Sequence, residues 1–134
     1  MDYKALIEEA VKAREFSYSP YSGFRVGAAL VGKSGKIYHG CNVENAGYTP
    51  TNCAERTAFF KAVSEGEHEF TAIAIVGGKE GELSPLCAPC GVCRQVMAEF
   101  CEDDFIIVLG TPESYSVHKF KDLLPYAFSG KNLN

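Results

Sequence analysis

A chain of 134 residues, 46% of them hydrophobic and 22% charged, has the composition of one soluble globular domain spanning residues 1–134. At that length it buries roughly two thirds of its unfolded surface without help from disulfides. Its 13 basic and 17 acidic residues give a formal net charge of -4 with no dense Lys/Arg cluster, which argues against a nucleic-acid polymer as partner, because such binding rests on neutralising phosphates.

No apolar run reaches the length of a bilayer span, and the start MDYKALIEEA carries acids where an export signal would carry a basic and an apolar segment. A cytoplasmic protein with no membrane partner is expected.

Asp2 can cap a first helix, since Tyr3, Leu6, Ile7, Ala10, Val11 and Arg14 recur at helical spacing before the Ser19-Pro20 stop. FRVGAALV and KIYHGCNV flank the turn Gly32-Lys33-Ser34-Gly35 and predict an antiparallel hairpin over 25–43. A loop rich in Asn, Gly and Pro leads to a second helix over about 52–65, with Gly66 as its stop. TAIAIVG reads as a buried strand, residues 77–88 as a Gly/Pro-rich loop, about 90–101 as a third helix and DFIIVLG as another buried strand. SVHKFKDLLP reads as a short last helix and the tail after Phe128 as polar and loose. Alternating strands and helices imply one α/β sheet covered on both faces, its later strands parallel.

Gly27 to Ser34 matches the phosphate-loop pattern of two glycines followed by Lys and Ser, but only literally. That pattern works as a loop opening a helix, whereas here the middle residues are strand-like and Gly35 follows.

Six cysteines in a chain without an export signal suggest metal binding, redox chemistry or buried small hydrophobes. CAPCGVCRQ holds two overlapping C-x-x-C pairs, and cysteines three apart in a first helical turn share one side, roughly 5–6 Å apart at Cβ. Cys90 with Cys93 suits zinc better than Cys87 with Cys90, because Pro89 fits a helix start and Cys87 falls in the loop. Cys53 adds a thiol at another helix N-terminus, where unpaired N–H groups favour thiolate. Three sulfur ligands would leave a fourth position open, as in catalytic zinc sites. Arg56 could offset the negative charge of three thiolates on Zn2+, and Glu55 could face bound water as proton carrier. Taken singly, Glu55 could equally complement the helix dipole and Arg56 could be solvated.

With C-x-E-R at 53–56 and P-C-x-x-C at 89–93 both present, the chain resembles the small, homotetrameric cytidine deaminases, as do SPYSGFRVGAAL, GCNVENAGY and LLPYAF. The resemblance implies a three-layer α/β/α fold, with a mixed sheet of about five strands and helices on both faces. It implies zinc held by Cys53, Cys90 and Cys93, and Glu55 as proton shuttle in hydrolytic deamination of cytidine and 2'-deoxycytidine for pyrimidine salvage. It further implies ribose contacts from Asn42 and Glu44, an aromatic contact from Phe24 and a backbone contact at Ala54. Tyr48 and Phe128 would reach a neighbouring subunit's site in a homotetramer.

Two rival classes remain on the residues alone. A dithiol oxidoreductase would purify without stoichiometric zinc and leave Cys53, Glu55 and Asn42 idle, while a structural zinc module would need a fourth ligand such as Cys87.

Overall fold

In the structure, a computed structural model that describes residues 1–133, the Asp2 carboxylate accepts from the Ala5 N–H at 3.0 Å and α1 runs Tyr3–Arg14. The hairpin follows as β1, Phe24–Gly32, and β2, Ile37–Cys41, closed by a Gly35 N–H to Gly32 carbonyl bond of 2.9 Å. Gly27 to Gly32 is therefore strand, and no helix follows Ser34 to receive a phosphate. Helix α2, Ala54–Ser64, ends on Gly66 at φ +96°, where Glu67 N–H reaches the Ala62 carbonyl and Gly66 N–H the Val63 carbonyl. Only glycine adopts that left-handed backbone at little cost, and the two bonds form a Schellman stop.

Strand β3, Phe70–Lys79, runs beyond its expected end because Gly77, Gly78 and Lys79 pair with Val26, Arg25 and Phe24. Arg14 locks that extension. Buried at the end of α1, it donates from Nη2 to the carbonyls of Gly78, Lys79 and Glu82 at 3.0, 2.6 and 2.6 Å. Helix α3, Gly91–Phe100, and β4, Ile106–Gly110, come next, with β3 and β4 parallel across the helical crossover.

The first part of the expected last helix is a strand: β5, Tyr115–Lys119, lies antiparallel to β4, and Phe120–Leu123 is helical as expected, as α4. Backbone pairing with β4 decides this, since Tyr115 and Val117 bury too little surface to report a strand by their own pattern. The tail stays exposed, yet Gly130–Leu133 forms a 3-10 turn fixed by a 2.8 Å bond from Ser129 N–H to Asn132 Oδ1.

The five strands make one sheet in the order β2-β1-β3-β4-β5. Alternation along each strand sends side chains to two cores. Leu6, Ile7 and Ala10 of α1 pack on Ala29, Val31, Ala72, Ala74 and Val108, while α2 and α3 pack on Ala28, Leu30, Ile73, Ile75 and Ile107. The result is the expected three-layer α/β/α arrangement, a mixed five-stranded sheet covered on both faces. In the second core Phe59 of α2 is fully buried, with ring centroids of Phe70 at 5.1 Å, Phe105 at 6.2 Å and Phe100 at 6.4 Å. Truncating such a ring leaves a cavity in the layer that carries α2, so Phe59→Ala should lower stability by roughly 3–5 kcal/mol in a denaturant titration.

Candidate metal centre

Cys53 and Cys90 occupy the same place in two helices: each is the N-cap residue, of α2 and α3 respectively. Neither thiol caps its own helix, unlike the carboxylate of Asp2 on α1. Both are left to face each other, Sγ to Sγ at 3.7 Å. Cys93, one turn into α3 and 1% exposed, completes a cluster whose three Sγ atoms all lie within 4.8 Å of one another.

Zinc–sulfur bonds of about 2.3 Å in a tetrahedron place two sulfurs about 3.8 Å apart, so the Cys53–Cys90 pair is spaced as that ion requires and Cys93 stands near enough to join it. Among the described residues no fourth His, Cys, Asp or Glu joins the cluster. Cys87, the alternative partner in the overlapping C-x-x-C, lies outside it, and burial pushes its thiol up to about 11.

Electrostatics distinguish the three thiols. The Cys93 thiol donating to it, with help from Arg56 and Cys90, brings Cys53 down to about 5 against the opposing effect of burial. Cys93 is pushed far up in turn, by holding that proton toward Cys53 and by burial. The cluster thus holds a thiolate at Cys53 even with protons on its neighbours, and a bound cation would drive off the remaining protons. Arg56 sits one helical turn on and donates from Nη2 to Cys53 Sγ at 3.4 Å, while its buried Nε has no partner. The guanidinium is therefore oriented toward the sulfurs rather than toward solvent or an acid.

Glu55, the second residue of α2, is 4% exposed. Burial raises its carboxyl to about 7 and the Cys53 thiolate adds to the rise, against its own backbone N–H, Cys93 and Arg56. A carboxyl poised there can both take and give a proton near neutral pH.

Asn42 already ties the start of β1 to Ser17, and Glu44 already holds the loop before β1. Asn42 Oδ1 accepts from Val26 N–H at 2.9 Å and from Ser17, and its Nδ2 donates to the Phe24 carbonyl at 2.8 Å. Glu44 Oε1 accepts from the N–H groups of Tyr21 and Ser22 at 3.0 and 3.1 Å, and Oε2 accepts from the Ser22 hydroxyl. These bonds, the Ser22 hydroxyl first, hold the Glu44 carboxyl below its usual range. One amide hydrogen of Asn42 stays free for a ligand.

Phe24 opens β1 on the face that carries α2, and Ala54 is fully buried at the first position of α2. Tyr48 and Phe128 stand on the surface, 95% and 59% exposed. The three histidines take no part in the cluster: His39 pairs with Glu9 at 2.9 Å and His118 with the Ser116 hydroxyl at 2.7 Å.

Sequence reasoning overlooked the two residues that follow Cys93. Arg94 Nε donates to the Pro89 carbonyl at 2.8 Å and its Nη1 to the Leu123 carbonyl at 2.6 Å, while Gln95 Nε2 donates to the Phe128 carbonyl at 2.8 Å. They brace the loop entering Cys90 and fasten the C-terminal segment to α3. Their signal was adjacency to C-x-x-C on a helix with no apolar role.

Residues 1–109 match the family model for the cytidine and deoxycytidylate deaminase zinc-binding region. A cytidine deaminase of Sporosarcina psychrophila is 54% identical over all of this chain and 96% of its own, and one of Halalkalibacterium halodurans 48% identical over all of this chain and 99% of its own. Among solved structures, cytidine deaminase from Burkholderia pseudomallei superposes with a TM-score of 0.86 at 51% identity, over 96% of this chain and all of that one. The Mycobacterium tuberculosis enzyme gives 0.81 at 38% identity, over 96% and 98%.

Proposed function

The chain belongs to the cytidine and deoxycytidylate deaminase family, and from that premise we propose that it hydrolyses cytidine and 2'-deoxycytidine to uridine and 2'-deoxyuridine with release of ammonia, as a step of pyrimidine salvage. The observation that carries this reading is the convergence of three thiols from two helix N-termini beside a buried carboxyl, Glu55. Cys53, Cys90 and Cys93 would hold Zn2+, which when bound supplies water acidified enough to act as a nucleophile at neutral pH.

Glu55 takes one proton of the attacking water and passes it to N3 of cytosine. It then takes the proton of the new C4 hydroxyl and delivers it to the amine as the C4–N bond breaks and the carbonyl forms. Its burial keeps both protonation states within reach. Phe24 lies against the pyrimidine, and the N-terminal N–H groups of α2 around Ala54, lacking intrahelical acceptors, meet the polar edge of the base. The free amide hydrogen of Asn42 and the lone pairs of Glu44 bind ribose hydroxyls. That the same two side chains tie down Ser17, Ser22, Phe24 and Val26 supports a preorganised sugar site.

Tyr48 and Phe128 serve a neighbouring chain's site in a cytoplasmic homotetramer, a reading their exposure on a single chain supports. No described helix is long and apolar enough to cross a membrane. Loss of cytidine ultraviolet absorbance with stoichiometric ammonia release tests the activity. An inactive protein with one zinc per chain would refute it.

Arg56 offsets the negative charge of three thiolates, which otherwise blunts the metal's pull on water electrons. Arg56→Gln should therefore keep its zinc but lose roughly tenfold or more in turnover, as removal of a partner of a metal ligand does. Unchanged rates across pH would make the guanidinium a packing group.

A further inference from the structure

Gly77, Cys87 and Phe24 meet at the end of β3, and the proposed reaction gives no role to the first two. Ile73 and Ile75 point from β3 into the core beneath α2 and α3, so Gly77, next in that row, shares their face. On β1 the same face carries Ala28 and Leu30, hence also Phe24, and the register sets Val26 opposite Gly77 and Phe24 opposite Lys79. Gly77 is not among the glycines with positive φ, so its backbone does not require glycine. The space above it does.

A methyl group built on Gly77 would lie 2.5 Å from Cys87 Sγ, 3.1 Å from Cys87 Cβ and 3.0 Å from Cε1 of the Phe24 ring. The thiol and the ring therefore share the room that a side chain at 77 would fill. A 2.7 Å bond from Ser84 N–H to the Gly77 carbonyl draws the loop bearing Cys87 over the strand. The loop that carries Cys87 runs directly into Cys90 at the start of α3, so this seat neighbours the metal cluster along the chain.

The geometry points to Gly77 and Cys87 as positioning residues that set the depth at which the Phe24 ring meets the pyrimidine. This rests on Phe24 being the aromatic contact of the proposed function. Cys87 is thus neither a ligand nor an incidental thiol but a spacer of one sulfur's width on a bare stretch of strand. A side chain at 77 displaces the ring, and loss of the sulfur lets it sink.

Steady-state kinetics with cytidine test this. Gly77→Ala should raise KM about tenfold with kcat within about twofold, the pattern of lost binding shared by ground and transition states. Gly77→Ala combined with Cys87→Gly should bring KM back to within about threefold of the unaltered protein, because contacting residues couple non-additively. Additive changes in KM would overturn the proposal, as would a Gly77→Ala protein that melts earlier but keeps its KM. Should Gly77→Ala fail to fold, Cys87→Ala carries the test: KM should rise about threefold with zinc content and far-ultraviolet dichroism unchanged, by loss of one contact. An unchanged KM there would overturn it. An unaltered protein inert toward cytidine would sink the proposed function itself, a failure visible before any variant is made.

Discussion

Glu55→Gln should retain one zinc per chain yet turn cytidine over at least about 100-fold more slowly, the lower range of what a positioned acid/base group contributes. The amide has the shape of the carboxyl it replaces but cannot carry a proton between water, N3 and the amine. It also suits the site sterically, since Glu55 is 4% exposed and any change of volume would disturb the first turn of α2. The structure makes the alternative, a carboxylate that merely complements the helix dipole, hard to sustain. Such a group gains by being ionised and solvated, whereas burial holds this one near neutrality. A Glu55→Gln protein with near-normal turnover and intact zinc would return Glu55 to that lesser role.

Cys93→Ala should cost at least about 100-fold in zinc affinity, because changes in groups that merely support metal ligands already cost roughly 10–100-fold, and turnover should fall with occupancy. Cys93 is the deepest of the three thiols at 1% exposure, and no other described His, Cys, Asp or Glu joins the cluster. The measurement is zinc bound per chain during titration with a competing chelator, with far-ultraviolet dichroism as the check on folding. Zinc held as tightly without Cys93 would move the ligand set toward Cys87 and revive a Cys87–Cys90 pair.

The sequence announced these cysteines because C-x-x-C at a helix start is a local pattern whose geometry follows from helix pitch alone. That α2 brings Cys53 to the same point depends on α2 and α3 lying on one face of the sheet, whereas α/β alternation foretold only that both faces would be covered. Other features depended on distant partners and were illegible for that reason. Nothing in Tyr115–Lys119 outweighs a helical reading until the free edge of β4 is there to pair with it. Gly78 and Lys79 looked like loop because glycines weaken a strand pattern, and only the register with Arg25 and Phe24 extends β3 through them. Arg94 and Gln95 read as an ordinary polar stretch of helix, since the carbonyls they hold, those of Leu123 and Phe128, lie about thirty residues on. Asn42 was legible as a polar group at a strand end, but its bonds to Ser17, Phe24 and Val26 join it to segments far from it in the chain.

In the proposed reaction, three thiols and one metal ion make the reacting centre, with Glu55 moving the protons. The most direct measurement strips the protein of metal, returns zinc in steps and follows cytidine conversion against zinc bound per chain. The stripped protein should convert none, and the rate should climb in proportion to occupancy until each chain holds one ion. Conversion at full rate by protein freed of metal would contradict it.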